Sequence, residues 1–361
     1  MKKVLKLLGI LLLVLLLIVG AYAGYVFGTY SRIEDNQNLS VTHGSSGVQT
    51  AAPGTPYKIL SWNIGFGAYE ADFGFFMDGG TQSRAWSKER LLDNLDEIGT
   101  LLAAQDADLT LLQEVDFDSD RSYHVDEGLT LRTFDGLDVY TDSVFAVNYH
   151  SAYLFYPLTK PHGASNSGLL TISKLGVKSA VRRSLPVETG VTKLLDLDRC
   201  YSVSRIPVSN GKELCLFDLH LSAYTSDGKI ADEQLELLLS DMQKEYEVGN
   251  YVVGGGDFNK DLLEGGSEAY FGILTEDHTW AQPIRFDLLA ATDIRLIAPE
   301  GKGAPVPSVR NADGPYHDGQ LVLTVDGFLV SPNVQVLESE VLDTGFANSD
   351  HNPVVMTVKL S

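Results

Sequence analysis

Positive charge is scarce in this 361-residue chain: 27 lysines and arginines stand against 48 aspartates and glutamates, a formal net charge of −21. A surface this acidic repels nucleic-acid phosphates at long range unless its basic residues cluster, and no Lys/Arg-rich run occurs outside the N-terminus. Tight nonspecific binding to polynucleotide is therefore disfavoured, although a divalent metal and a local basic patch can invert the field inside a cleft. Cysteine is scarcer still, with only Cys200 and Cys215. An exported chain would invite a disulfide between them. However, Asn210-Gly211 reads as a two-residue hairpin turn. Pairing Ser209 with Lys212 sets Cys215 opposite Ile206 and Cys200 opposite Leu221, which predicts two free thiols. Internal repeats are missing, as is any second linker, so residues 57–361 read as one α/β domain with many strands and few helices.

Long apolar runs are confined to one place. Lys2, Lys3 and Lys6 in the basic stretch 1–6 precede an unbroken apolar run over 7–27, long enough to cross a bilayer as a helix. The positive flank stays cytoplasmic and the rest of the chain lies outside. Ala21-Tyr22-Ala23 resembles a signal-peptide cleavage site, so a secreted form cut near Ala23 is the competing reading; the length of the run favours the anchor. Residues 28–56 are polar, without apolar period, and read as a flexible spacer.

The folded body begins at Tyr57–Asn63, a strand ending in an amide and stopped by Gly65-Phe66-Gly67. After an aromatic, glycine-rich loop, Ser87 reads as the N-cap of a helix with Leu91, Leu95, Ile98 and Leu102 on one face, ending near Gln105. Ala107–Leu112 is a second strand tipped by Gln113-Glu114. Asp116, Asp118 and Asp120 alternate as in a calcium loop but lack its glycine and glutamate, so they read as a solvated acidic loop. Leu214–Leu221 carries His220 near its far end. A helix over 231–247 then leads into Tyr251-Val252-Val253 and three glycines, a strand whose end needs backbone freedom or close approach by another group. Asp257 and Asn259 follow. Leu321–Val330 is an apolar strand interrupted by Asp326, a charge that demands a partner. The last strand, Asn352–Leu360, follows Ser349-Asp350-His351.

Each polar tip alone has an ordinary explanation as a turn or rim residue, but their coincidence does not. Asn63, Glu114, His220, Asp257, Asn259, Asp326, Asp350 and His351 all fall at or near strand ends. Acids and neutral imidazoles without a Cys or Ser nucleophile suit a hard, oxygen-preferring cation such as Mg2+, with Mn2+ as a possible substitute. The chemistry they suggest is metal-assisted attack of water on a phosphoester.

In these residues the chain resembles the endonuclease/exonuclease/phosphatase superfamily, which includes DNase I-like nucleases, neutral sphingomyelinases and inositol polyphosphate phosphatases. The resemblance rests on Ser61-Trp62-Asn63, Leu112-Gln113-Glu114, Asp218-Leu219-His220-Leu221, Gly256-Asp257-Phe258-Asn259, Val325-Asp326-Gly327-Phe328 and Ser349-Asp350-His351-Asn352-Pro353, in the family's order across the body. It implies an α/β fold, a four-layer α-β-β-α sandwich of two packed mixed sheets, with a magnesium site at one end. It further implies that Glu114 is the principal metal ligand with Asn63 and Asp350 nearby. His351, oriented by Asp326, works beside the attacked phosphate; Asp257 aligns or deprotonates the water, and Asn259 and His220 donate to phosphoryl oxygens. The chain departs from the DNase pattern in lacking an obvious basic, DNA-gripping loop after Asn63.

The expected protein is thus an extracytoplasmic, membrane-anchored, Mg2+-dependent phosphoester hydrolase, a phosphodiesterase acting on a lipid headgroup or small phosphodiester ahead of a nuclease acting on nucleic acid. A catalytically silent surface binding protein is the alternative outside the enzyme class. The membrane is met through the N-terminal helix, and no protein partner is expected.

Overall fold

Along Pro56–Asn63, Ile59 and Ser61 point to one face and Leu60 and Trp62 to the other, and all four are buried. A strand buried on both faces must lie between two covering layers. In the computed structural model, which describes all residues except 45–48, 138–141, 191–192, 194–197, 224–228 and 273–279, those layers are a second sheet and a helix.

The first sheet runs Gln37–Leu39, Ser179–Ser184, Cys200–Pro207, Glu213–His220, Tyr251–Asp257, Asp326–Val330, Arg295–Ile297. The second runs Val334–Val341, Val354–Leu360, Pro56–Asn63, Leu109–Asp116, Asn166–Ser173, Asp142–His150, Val41–His43. Each contains one parallel pair, Glu213–His220 with Tyr251–Asp257 and Pro56–Asn63 with Leu109–Asp116. A parallel pair needs a crossover, and each crossover here is a long helix. Lys88–Gln105 starts at Ser87, whose side chain accepts from Arg90 N, and lays Leu91, Leu95, Ile98 and Leu102 on the second sheet. Lys229–Glu247 lays Leu235, Leu238, Leu239 and Met242 on the first. The four layers are therefore helix, sheet, sheet, helix. Between the sheets pack Ile59, Leu111, Val253, Phe328 and Met356. Gly255 sits where they approach closely, since a Cβ there would lie 2.8 Å from Phe328 and 2.9 Å from Leu111.

Four expectations are corrected. Within the stretch read as a spacer, Gln37–Leu39 pairs with Ser179–Ser184 and Val41–His43 with Asp142–His150, one added edge strand on each sheet. Edge pairing uses backbone groups, so it needs no apolar period. The hairpin closes on a three-residue loop, with Val208 N bonded to Lys212 O and Gly211 at φ 84, so Cys215 faces Arg205 rather than Ile206. The one-residue shift still leaves Cys200 and Cys215 at opposite ends of the ladder, and both are free and buried. The run 321–330 is two strands, Val322–Leu323 and Asp326–Val330, because the chain changes sheets between them. Finally, Leu109–Asp116 continues past Leu112, so Glu114 is inside the strand rather than at its tip.

Lys2–Thr29 forms one helix, long and apolar enough to cross a membrane, with its leucines and valines exposed over most of its length.

Candidate active site

The two parallel pairs point the C-terminal ends of four strands the same way. In the first sheet Asp257 lies opposite His220 on one side and Asp326 on the other; in the second, Asn63 lies opposite Gln113. Glu114 reaches the same end by a bulge. Between Leu112 and Val115 the pairing with Asn166–Ser173 slips by one residue, and Glu114 takes φ 53. An extra residue in a strand re-aims its side chain, which is why Glu114 turns toward the strand ends. Asp350 and His351 arrive on the segment before Val354–Leu360. Trp62 Nε1 donates to His351 O at 2.8 Å, Ser349 Oγ to Asn63 O at 2.7 Å and Arg310 N to Asp350 O at 2.9 Å.

Seven of the eight expected residues, Asn63, Glu114, His220, Asp257, Asn259, Asp350 and His351, line one cleft of about 510 Å³. Asp326 lies behind it, bonded through Oδ2 to His351 Nδ1 at 2.8 Å. The interrupted strand thus has its partner. His351 Nε2 faces Asp257 Oδ2 at 3.8 Å, and His220 Nε2 faces the same oxygen at 3.4 Å. Asn63 Nδ2 donates to Asp257 Oδ2 at 3.0 Å and Glu114 Oε1 at 3.3 Å, while its oxygen accepts from Gly65 N. Ligation of a metal through that oxygen requires a half-turn of the amide. Asn259, at φ 49, donates to Leu221 O at 2.9 Å, and its backbone N–H holds Asp257 Oδ1 at 2.8 Å.

Burial sets the protonation pattern. For His351 it opposes the charged form, but Asp326 and Asp257 outweigh it and raise the imidazole to about 10. Burial holds His220 well below its ordinary value, with Arg199 and His351 adding to the effect. Its Nδ1 is buried with no hydrogen-bond partner among the described residues. Burial also raises Asp257, with Asp326 adding and His351 opposing. It raises Asp350 to about 6, with His351 and Arg310 opposing and Glu114 adding. Glu114 and Asp350 are hard oxygen donors whose charges repel across the cleft, the arrangement a divalent cation relieves. A further group, Asp257, Asp326 and His351, brings potential ligand atoms within 4.8 Å of one another. There the Asp326–His351 hydrogen bond already occupies one atom of each.

Sequence reasoning missed several supports. Ser308 Oγ donates to Asp326 Oδ2 at 2.7 Å and accepts from Val325 N and Asp326 N. Arg310, buried, donates to the carbonyls of Tyr69, Glu70, Phe73, Asn311 and Gly314, fastening the aromatic loop over the cleft. Asp116 is not part of a solvated loop: it is buried in a two-point pair with Arg121, whose guanidinium lies 4.0 Å from the Phe66 ring centre. The one signal for this pair was their common loop, since Asp116 and Arg121 stand five residues apart.

The four-layer fold, with acids and imidazoles gathered at one end, defines a hydrolase of phosphoester bonds. More particularly, residues 60–351 match the Endonuclease/Exonuclease/phosphatase family, and the chain belongs to it. That family is typically metal-dependent. Among solved structures the chain is similar to an endonuclease/exonuclease/phosphatase from Beutenbergia cavernae DSM 12333, at 18% identity over 85% of this chain and 72% of that one, TM-score 0.60. It is also similar to one from Bacteroides vulgatus, at 17% identity over 85% and 100% of the two chains, TM-score 0.54. A third is ANGEL2, a 2′,3′-cyclic phosphatase in complex with adenosine-2′,3′-vanadate, at 14% identity over 89% and 98%, TM-score 0.55. At these identities the likeness is one of fold. No curated protein matches the chain.

Proposed function

We propose that this chain is an extracytoplasmic, membrane-anchored, Mg2+-dependent phosphodiesterase. The observation that carries the reading is the His351–Asp326 pair beside Asp257, Glu114 and Asp350 at one cleft, a charged imidazole among carboxylates. Glu114 and Asp350 would hold the cation, with Asn63 joining through its oxygen after the amide half-turn. Bound there, Mg2+ supplies Lewis-acid polarisation of the phosphoryl group. The remaining work falls to the protein. His351, kept protonated by Asp326, donates from Nε2 to a phosphoryl oxygen as negative charge builds. Asp257, held by the backbone N–H of Asn259 and the Asn63 amide, orients the attacking water and takes its proton. His220 stays neutral and directs a ring N–H toward Asp257 or the substrate. Asn259 fixes the turn that presents Asp257.

The anchor reading draws support from Tyr22. Cleavage near Ala23 would remove a side chain whose hydroxyl bonds to Tyr153 O and Phe155 N. The test of the activity is release of p-nitrophenol from bis(p-nitrophenyl) phosphate, expected with Mg2+ and abolished by chelation. Unchanged release after chelation, or none with Mg2+ or Mn2+, would remove the metal-dependent reading.

A further inference from the structure

Part of the cleft wall is apolar, and some of that part comes from the N-terminal helix. Tyr22, Phe75, Phe76, Met77, Leu154 and Tyr156 line the cleft, with Asp78 beside Met77. The helix is fastened to the wall by its tyrosines. Tyr22 Oη donates to Tyr153 O at 3.1 Å and accepts from Phe155 N at 3.2 Å, and Tyr25 Oη accepts from Tyr153 N at 3.3 Å. The Tyr22 and Phe155 rings meet edge to face, 5.4 Å apart. Beside these contacts the loop shows water its largest apolar side chains: Phe155 is 52% exposed, Tyr156 68% and Leu158 83%, and Met77 is 45% exposed. Met77 and Tyr156 line the cleft, and exposed apolar side chains gathered beside a cavity mark an interaction site rather than ordinary surface scatter.

The helix says what covers it. A helix rises about 1.5 Å per residue, so about 20 residues fill a hydrocarbon core of about 30 Å. Lys2, Lys3 and Lys6 stay out of that core, which leaves the run from Leu7 to about Val26 to fill it. Tyr22 and Tyr25 then sit in the last turns, at the depth where tyrosine rings anchor at a membrane–water boundary. Tyr153 and Phe155, bonded to those tyrosines, lie at the same depth and carry the neighbouring residues through Leu158 with them. Their exposed side chains face the outer leaflet, and the cleft mouth opens there.

We propose that the rim formed by Met77, Phe155, Tyr156 and Leu158 rests in the outer leaflet of the bilayer the chain is anchored in, and that the substrate is a phosphoester carried by a lipid of that leaflet. The inference rests on the phosphodiesterase reading and adds the substrate class to it. The acyl chains stay with the rim while the phosphate reaches Glu114, Asp350 and His351. The acidic body offers no general attraction for phosphates, so proximity is supplied by the anchor. In the reaction the oxygen of water bonds to phosphorus, one P–O ester bond breaks, and the proton of water ends on the released alcohol, leaving a phosphomonoester.

The test uses the full chain in proteoliposomes of phosphatidylcholine, phosphatidylethanolamine, phosphatidylglycerol and sphingomyelin, with soluble bis(p-nitrophenyl) phosphate assayed in the same preparation. Phe155→Ser with Leu158→Ser is expected to lower lipid hydrolysis about tenfold or more, because each removes apolar surface from the leaflet, and to leave nitrophenol release unchanged. Equal losses on both substrates overturn the proposal. So does wild-type protein that cleaves the soluble diester and none of the lipids, which leaves the phosphodiesterase reading standing. Failure on both substrates overturns both. Independently of activity, a Leu158→Trp variant is expected to be quenched by brominated lipids, and an unquenched tryptophan places the rim outside the membrane.

Discussion

The floor of the cleft is carried by strand ends and its rim by loops and a helix, and the two are constrained differently. On the floor, one residue of register moves a side chain to the opposite face, so His220, Asp257 and Asp326 are placed by the ladder that pairs them. On the rim, Phe76, Phe155 and Tyr156 are placed by contacts made far away in sequence, with the Tyr22 hydroxyl and with each other. On the proposed reading the floor sets the bond that is broken, and the rim sets which molecule brings that bond to the site. Substitutions on the floor should therefore affect every substrate alike, whereas those on the rim should discriminate.

The largest effect is expected at His351. His351→Ala should lower turnover on the order of 10²-fold or more on soluble and lipid diesters equally, the scale of a positioned acid or base. Asp326→Ala should cost less, since the imidazole remains but loses its 2.8 Å partner. The double variant should be little worse than His351→Ala. Rate losses that multiply, with circular dichroism unchanged, would assign Asp326 to another partner. Glu114→Gln comes next. A neutral amide is a poor ligand for a hard cation, so the Mg2+ concentration for half activation should rise at least about tenfold with the fold retained. Calorimetric titration with unchanged Mg2+ affinity would move the metal away from Glu114.

Ser308 gives a smaller effect and tests how the floor is held. Its hydroxyl is one of two donors on Asp326 Oδ2. Ser308→Ala leaves that oxygen with His351 alone and should lower kcat about fivefold, the equivalent of one hydrogen bond, with KM unchanged and recovery in Ser308→Thr. A rise in KM at constant kcat would instead tie Ser308 to substrate binding.

Much of the floor was legible because it follows local rules. The alternation around Asn63, the glycines before Asp257 and the charge at 326 each mark a strand end or a buried ion that needs a partner. The N-cap at Ser87 and the helix face it opens were legible for the same reason. The bulge at Glu114 was not, because it appears only when the strand is paired with Asn166–Ser173. The edge strands at 37–43 were hidden because backbone pairing leaves no mark on side-chain periodicity. Ser308, Arg310 and the Asp116–Arg121 pair were hidden for a third reason: a buried polar group is defined by its distant partners, and its own neighbours in sequence do not announce them.

The smallest effect is expected at Asp218, which shares the inward face of its strand with His220 but lies deeper between the sheets. Gln113 Nε2 donates to it at 2.8 Å and Thr171 Oγ1 at 3.2 Å, and it is fully buried. Burial raises its carboxyl to about 8, with those two donors opposing. The unfolded chain releases this proton near pH 4. A folded value above the unfolded one means that the contribution to stability is full below about pH 4 and is lost as pH rises through about 8. Inside that window the slope is at most about 1.4 kcal/mol per pH unit. Asp218→Asn keeps the shape, accepts from Gln113, and donates to the threonine hydroxyl, but carries no proton to lose. Its melting temperature should exceed that of the wild type by a few °C at pH 8, with the gap closing toward pH 5, while hydrolysis of the soluble diester is unchanged. Melting curves for the two proteins that stay parallel from pH 5 to pH 8 would show that Asp218 is already ionised in the fold. A loss of activity in the variant would show that the polar layer between the sheets, and not only the strand ends above it, belongs to the catalytic floor.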